Sequence, residues 1–248
     1  MHKYGLFFAL IFGLLACKTV TNAPRAEALG YIKMTHKIMA DSSASAIIQP
    51  YKVDMEKLMN KIIGVFTVDM CKKQPEGPLG NFMADALLKM AEKIYSLPVD
   101  VATLNNGGIR LACVSKGSIT VGKIFELMPF DNALTVLTLS REKTQQLFDK
   151  MAEKGGWPIS KNTSYTIQNG KAQNIVINGK PLYSYEKVVV AISDYIANGG
   201  DDCNFLIGCN RFDSVNMIRE LLVDYVKLQT ANQQNIESTI EGRCKELK

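Results

Sequence analysis

The stretch "SYTIQNGKAQNIVINGKPL", residues 164–182, limits the fold more than any other part of the chain. Its Asn169-Gly170 and Asn178-Gly179 pairs separate short runs suited to strands. Asn-Gly takes up the positive φ angles of a tight hairpin turn at little cost, so each pair predicts two antiparallel neighbours. Consecutive hairpins do not suit a doubly wound parallel sheet. Helical periodicity is also present: "GPLGNFMADALLKMAEKIY" spaces Leu79, Phe82, Met83, Ala86, Leu87, Met90 and Ile94 along one face. Hairpins beside buried helices predict an α+β, mixed α/β sandwich.

The remaining segments fit that class. "AIIQPYKVDMEKLMNKI" reads as an amphipathic helix started or interrupted near Pro50, followed by a strand in "IGVFTVDM". "VDVATLN" predicts a short apolar strand that stops at "NNGGIR". "GSITVGKIFELMPFDN" reads as a turn and a short helix, "ALTVLTLS" as a strand, and "REKTQQLFDKMAEKG" as a helix with Leu147, Phe148 and Met151 facing inward. "EKVVVAISDYIANGGDD" is a buried strand running into a glycine and acid motif, and "VNMIRELLVDYVKLQ" is a last amphipathic helix. These elements predict one compact domain from residue 44 to residue 248.

The first residues, "MHKYGLFFALIFGLLAC", join a short cationic start to an apolar run too short to span a bilayer comfortably, the pattern of an export signal over residues 1–16. Leu14-Leu15-Ala16-Cys17 resembles a bacterial lipobox, which predicts lipidation of Cys17, a tether over residues 17–43 and a place in the cell envelope, periplasmic or outer-membrane facing. An ordinary signal peptide with a chance cysteine is the other reading. Five further cysteines follow: Cys71, Cys113, Cys203, Cys209 and Cys244. An odd number leaves at least one thiol unpaired, and none forms a CxxC pair. Cys203 and Cys209 flank "NFLIG" and are placed either to close a small loop or to serve as free small hydrophobes.

Absences narrow the chemistry. The formal net charge is +5, but Lys and Arg are interspersed with acids and form no block, so nucleic acid is not the expected partner. After the signal only His36 remains, which rules out a multi-histidine metal site in this chain and leaves its metal ligands as none. Neither a GxxxxGK[ST] phosphate loop nor a GxGxxG turn occurs. What remains is gathered on three loops. "LNNGGIR" puts Asn105, Gly107 and Gly108 directly after a strand, with Arg110 able to aim a guanidinium fork at phosphate or carboxylate. "LMPFDN" exposes Phe130 after a proline, and "DYIANGGDD" offers Tyr195, Gly199, Gly200 and Asp201. Two aromatics can sandwich a base, and a carboxylate at a glycine turn can accept from both hydroxyls of a ribose. Asp202 has no assigned role and is expected to be a solvent-facing charge.

With those residues in place, the chain resembles the C-terminal, substrate-binding domain of the 5'-nucleotidase and UDP-sugar hydrolase family over about residues 45–243. The matching stretches are "GPLGNFMADAL", "NNGGIR", "GSITVGKIFELMPFDN", "YIANGGDD" and "EGR" at 241–243. The resemblance implies a four-layer α/β/β/α sandwich and carries over roles for the loops. Phe130 and Tyr195, where phenylalanine is commoner, would stack on the two faces of a base, Asp201 would bind ribose hydroxyls, Arg110 phosphate oxygens, and Asn105 the nucleoside. The family has a further phosphate-binding arginine upstream; at the corresponding "MCKKQPEGPLGN" this chain has Lys72 and Lys73, and lysine is not a geometric substitute for an arginine fork.

In that family a separate N-terminal domain holds two divalent metal ions and the catalytic dyad. Its motifs are absent from residues 1–248, so the resemblance predicts no catalytic residue and no cofactor here. The expected function is recognition of a 5'-nucleotide or nucleotide-sugar as the substrate-binding half of a split 5'-nucleotidase, in nucleotide catabolism. A separate metallophosphatase chain would carry the two metal ions and hydrolyse in trans. Two alternatives stay open: an envelope lipoprotein that binds nucleotides without catalysis, and a structural lipoprotein that has lost the ligand.

Overall fold

A computed structural model describes residue 35 and residues 38–247. Cys17, the signal and the tether before residue 35, and His36, lie outside the described residues. The chain divides into two units, Met1–Ile48 and Gln49–Lys248; one helix crosses the boundary, and the sheets and cores below are those of the second. Helix α1, Ser42–Met59, begins well before Pro50 and runs through it. None of its residues is fully buried: Tyr51, Met55 and Leu58 are exposed, and only Met59 at its end packs against the core.

The centre is a four-stranded sheet in the order β11, β6, β10, β3, formed by β3 (Val101–Ala102), β6 (Ala133–Ser140), β10 (Lys187–Ser193) and β11 (Asn210–Met217). Its two inner strands are buried on both faces. Leu134 and Val136 of β6 and Ala191 of β10 face one core, while Leu137 and Leu139, with Val188, Val190 and Ile192, face the other. This alternation follows from the twofold period of a strand and explains why β10 reads as a nearly continuous apolar run.

The first core is covered by helices α2 (Pro78–Tyr95), α3 (Val121–Leu127) and α6 (Ile218–Ala231). Pro78 opens α2, where its missing N–H costs nothing, and Ser96 closes it in the left-handed region. The second core lies between the central sheet, helix α4 (Arg141–Glu153) and a second sheet of β12 (Cys244–Glu246), β7, β8 and β9. In that sheet β7 (Thr163–Gln168), β8 (Lys171–Ile177) and β9 (Lys180–Pro181) are consecutive antiparallel strands. Their turns hold Asn169 and Gly170 at φ 51° and 70°, and Asn178 and Gly179 at 49° and 74°, the geometry foreseen for the two Asn-Gly pairs. The fold is the mixed α/β type expected.

Two readings need correction, and one open alternative is decided. Gly117–Thr120, expected as a turn, is strand β5, antiparallel to β1 (Ile62–Phe66) with Ile119 buried between them and the core. Strand β11 was not expected, because "NRFDSVNM" is largely polar and none of its residues is buried; pairing with β6 makes it a strand. The Cys203–Cys209 loop does not close. Asn204–Leu206 form a tight turn, Cys203 is buried with a thiol pushed up to about 12 by desolvation, and both cysteines are free. The disulfide joins Cys71 to Cys113 across β2 (Met70–Cys71) and β4 (Cys113–Val114), where the two residues are direct register partners.

Candidate functional site

Strand register brings the three loops together. Strand β10 runs parallel to β3 and antiparallel to β6, with Ala191 opposite Ala102 and Ser193 opposite Leu134. The ends of β3 and β10 and the start of β6 therefore meet at one edge of the sheet. "LNNGGIR" leaves β3 there, "LMPFDN" enters β6 there, and "DYIANGGDD" leaves β10 there.

Around that edge Asn105, Gly107, Gly108, Phe130, Asn132, Tyr195 and Asp201 line a cleft of about 310 Å³. A larger cleft of about 720 Å³ opens near Arg141, Leu182 and Tyr183, but it contains none of the motif residues, so size does not select the site. The smaller cleft lies in the range of ~300–1,000 Å³ usual for small ligands and carries both aromatic and polar walls.

Each wall has a local cause. Ser193 caps the short helix α5, Asp194–Ala197, by accepting from the Ile196 N–H, and buried Ile196 and Ala197 anchor it. The intervening Tyr195 is left exposed at 45%. Gly200 lies under its ring: a Cβ at Gly200 would sit 2.5 Å from Tyr195 Cε1 and Cζ. Gly199 has φ 97° and Asp201 φ 51°, so the chain turns sharply and the acid points back to the ring. The Tyr195 hydroxyl donates to Asp201 Oδ1 at 3.0 Å, and the Asn105 amide donates to Asp201 Oδ2 at 2.7 Å. That first bond raises the Tyr195 phenol above its ordinary range.

Phe130, 39% exposed, forms part of the same cleft. The Arg110 guanidinium lies 5.7 Å from its ring centroid, a cation–π contact, so in this structure Arg110 stacks on the ring. The backbone N–H of Arg110 donates to the Leu127 carbonyl at 3.0 Å, tying the first loop to the second. Lys72 lies behind the first loop, its ammonium donating to the carbonyls of Asn106 at 3.3 Å and Ile109 at 2.9 Å. It braces the loop, while Lys73 is exposed. Asp202 remains solvent-facing and also pairs with Lys154 at 3.0 Å, which lowers the Asp202 carboxyl.

Two residues with structural leverage were missed from sequence. The Asp194 carboxylate accepts from the Ala133 N–H at 3.0 Å and the Tyr195 N–H at 2.7 Å, joining the roots of the Phe130 and Tyr195 loops. Arg219 pairs with Asp131 at 2.5 Å and stacks over Phe125 at 4.9 Å, clamping the other side of the Phe130 loop. Asp194 could have been found as the acid following a cap serine; Arg219, far along the chain from its partners, left no local signal.

Other motif residues support the fold. Arg243 is 3% exposed and bonds both oxygens of Asp85, at 2.7 and 2.8 Å, together with Glu241 and the Ile159 carbonyl. Asn81 donates to Glu76, whose carboxylate also accepts from the Glu241 and Gly242 N–H groups. "EGR" and "GNFMADAL" thus fasten the start of α2 to β12 (Cys244–Glu246). Among the described residues no group of three or more His, Cys, Asp or Glu side chains is arranged to hold a metal ion, and no helix is long and apolar enough to cross a membrane.

The 5'-nucleotidase C-terminal domain family matches residues 59–207, more than half of the chain, and this chain belongs to that family. It is 27% identical over 219 residues to Endonuclease YhcR of Bacillus subtilis, covering 84% of this chain and 17% of that protein. It is 24% identical over 234 residues to Cell wall protein Lmo0130 of Listeria monocytogenes, covering 84% and 30%. To the 5'-nucleotidase of Vibrio vulnificus it is 30% identical over 134 residues, covering 52% and 23%. Among solved structures, the 5'-nucleotidase precursor from Thermus thermophilus superposes with TM-score 0.68 and 26% identity, over 83% of this chain and 43% of that one. The chain thus spans less than a third of these curated relatives and under half of that solved structure.

Proposed function

We propose that the cleft binds a 5'-nucleotide or nucleotide-sugar: the base between Phe130 and Tyr195, the ribose on Asp201 with Asn105 beside it, and phosphate on Arg110. The observation that carries this reading is the pair of exposed rings lining one cleft with a hydrogen-bonded carboxylate in its wall. Exposed aromatics gain from covering a flat apolar ligand, and stacking is typically worth ~1–3 kcal/mol per base. On phosphate binding Arg110 would exchange its cation–π contact for charge-assisted hydrogen bonds, which are stronger.

Hydrolysis, in this proposal, is performed in trans by a metallophosphatase chain that holds two divalent ions, with this chain supplying substrate position and specificity in nucleotide catabolism. An envelope location, through lipid on Cys17, accords with a cell wall protein among the relatives. The test is a pull-down of the tagged protein from its host's solubilised envelope, followed by nucleotidase assay of what is recovered. Recovery of a metallophosphatase in near-equal amount, with activity lost in Tyr195→Ala and Phe130→Ala, supports the split enzyme. Nucleotide binding by calorimetry without a catalytic companion leaves a binding lipoprotein, and no binding at all refutes both.

A further inference from the structure

The Asp201 carboxylate is held by one donor on each oxygen, Tyr195 on Oδ1 and Asn105 on Oδ2. We infer that the Tyr195 hydroxyl, beyond its ring, determines sugar specificity: by fixing the Asp201 carboxylate it makes the cleft select ribonucleotides over 2'-deoxyribonucleotides. This rests on the nucleotide reading above and deepens it.

An ionised carboxylate offers roughly four acceptor sites, two on each oxygen. With one taken on each, one on each remains, a spacing that suits a vicinal cis-diol donating both hydroxyls. The terminal torsion of an aspartate is broad, so a carboxylate without such bracing turns easily and serves a single hydroxyl almost as well. Here it is braced from both sides. The ring of Tyr195 rests against Gly200, and Asn105 is confined by Gly108, where a Cβ would come within 2.9 Å of its Oδ1. Left-handed backbone at Gly199, Asp201 and Asp202 sets the direction of the acid independently. A site built to accept from two hydroxyls leaves an acceptor unmatched when one is missing, and such sites discriminate strongly.

The test is calorimetric titration of the full protein with each common ribonucleoside 5'-monophosphate and its 2'-deoxy partner, for wild type, Tyr195→Phe and Asp201→Asn, with melting curves as a check on folding. Wild type should prefer the ribose form by about tenfold or more. Tyr195→Phe keeps the ring but removes the hydroxyl, so its preference for ribose should fall to about threefold or less, with the greater loss of affinity on the ribose side. Asp201→Asn should lose the preference. Equal affinity of wild type for both sugars, an unchanged ratio in Tyr195→Phe, or an equal loss for both sugars overturns the inference while leaving nucleotide binding intact. Failure of folded wild type to bind any nucleotide overturns the underlying reading, and this inference with it.

Discussion

Replacing Gly200 by alanine separates the roles of turn and ring. The backbone there is not in the positive φ region, so the substitution introduces no conformational strain of that kind, and the effect is steric. The new Cβ would lie 2.5 Å from two ring carbons of Tyr195 and 2.6 Å from its carbonyl oxygen. Optimal contact between carbons is ~3.5–4.0 Å, so the ring must retreat by about 1 Å. Helix α5 cannot follow, because Ile196 and Ala197 are fully buried and Ser193 caps it. Overpacking of this kind costs ~1–3 kcal/mol. At ~2–4 °C per kcal/mol for a domain of this size, the melting temperature should fall by about 2–12 °C. A displaced ring also loses its stack on a base, ~1–3 kcal/mol, which weakens nucleotide binding about 5- to 150-fold. Scanning calorimetry and titration calorimetry read the two effects. Wild-type affinity in Gly200→Ala would show that the ring position does not matter and would refute the clamp.

Arg243→Met removes every guanidinium contact to Asp85 and leaves that carboxylate without its buried partner; a loss of ~3–5 kcal/mol and about 6–20 °C in melting temperature is expected. Nucleotide affinity of the folded protein should stay within about twofold of wild type, and a large loss of affinity without a drop in melting temperature would disprove the structural role. Lys72→Met deprives the Asn106 and Ile109 carbonyls of their common donor, so the loop bearing Asn105 and Arg110 loosens. Affinity should fall about three- to tenfold for monophosphates, and unaltered titrations would show that the brace is dispensable. The hydrogen bond to Asp201 raises the Tyr195 phenol above its ordinary 10.0, so the protonated form is favoured in the fold. Its contribution is complete below pH 10.0 and is lost as pH rises through the raised value; ribose preference should be flat from about pH 6 to 9 and decline only above 10.0. A decline at neutral pH would mean that the phenol is not the group involved.

Much of the architecture was legible because local chemistry and global fold agree. The Asn-Gly pairs have one favourable use, and helix α2 announces itself by apolar spacing, an initial proline and exclusion of charge from one face. Strand β6 was delimited to the residue because apolar and hydroxyl side chains alternate until Ser140 caps the next helix. Strand β11 was illegible for the converse reason: an edge strand of largely polar residues, none of them buried, has no periodic signal and exists only through its partner. The disulfide was equally hidden, since 42 positions separate Cys71 from Cys113 and only the pairing of β2 with β4 makes them neighbours.

For the site, the sequence by itself determined the kinds of group available: two aromatics, an acid, an amide, an arginine, glycine turns beside them, and no histidine cluster. Those identities constrain the chemistry because side-chain type sets charge, planarity and hydrogen-bonding capacity wherever the chain places them. Only the tertiary structure decided their mutual geometry. Register among β3, β6 and β10 gathers the three loops at one sheet edge, the β2–β4 pairing sets Lys72 behind the first of them as a brace, and the packing of α2 beside β12 assigns Asp85 and Arg243 to the scaffold. It also brings the Tyr195 hydroxyl onto Asp201, because left-handed backbone and an absent side chain at Gly200 let the chain fold back on itself, a consequence of packing that no single motif carries.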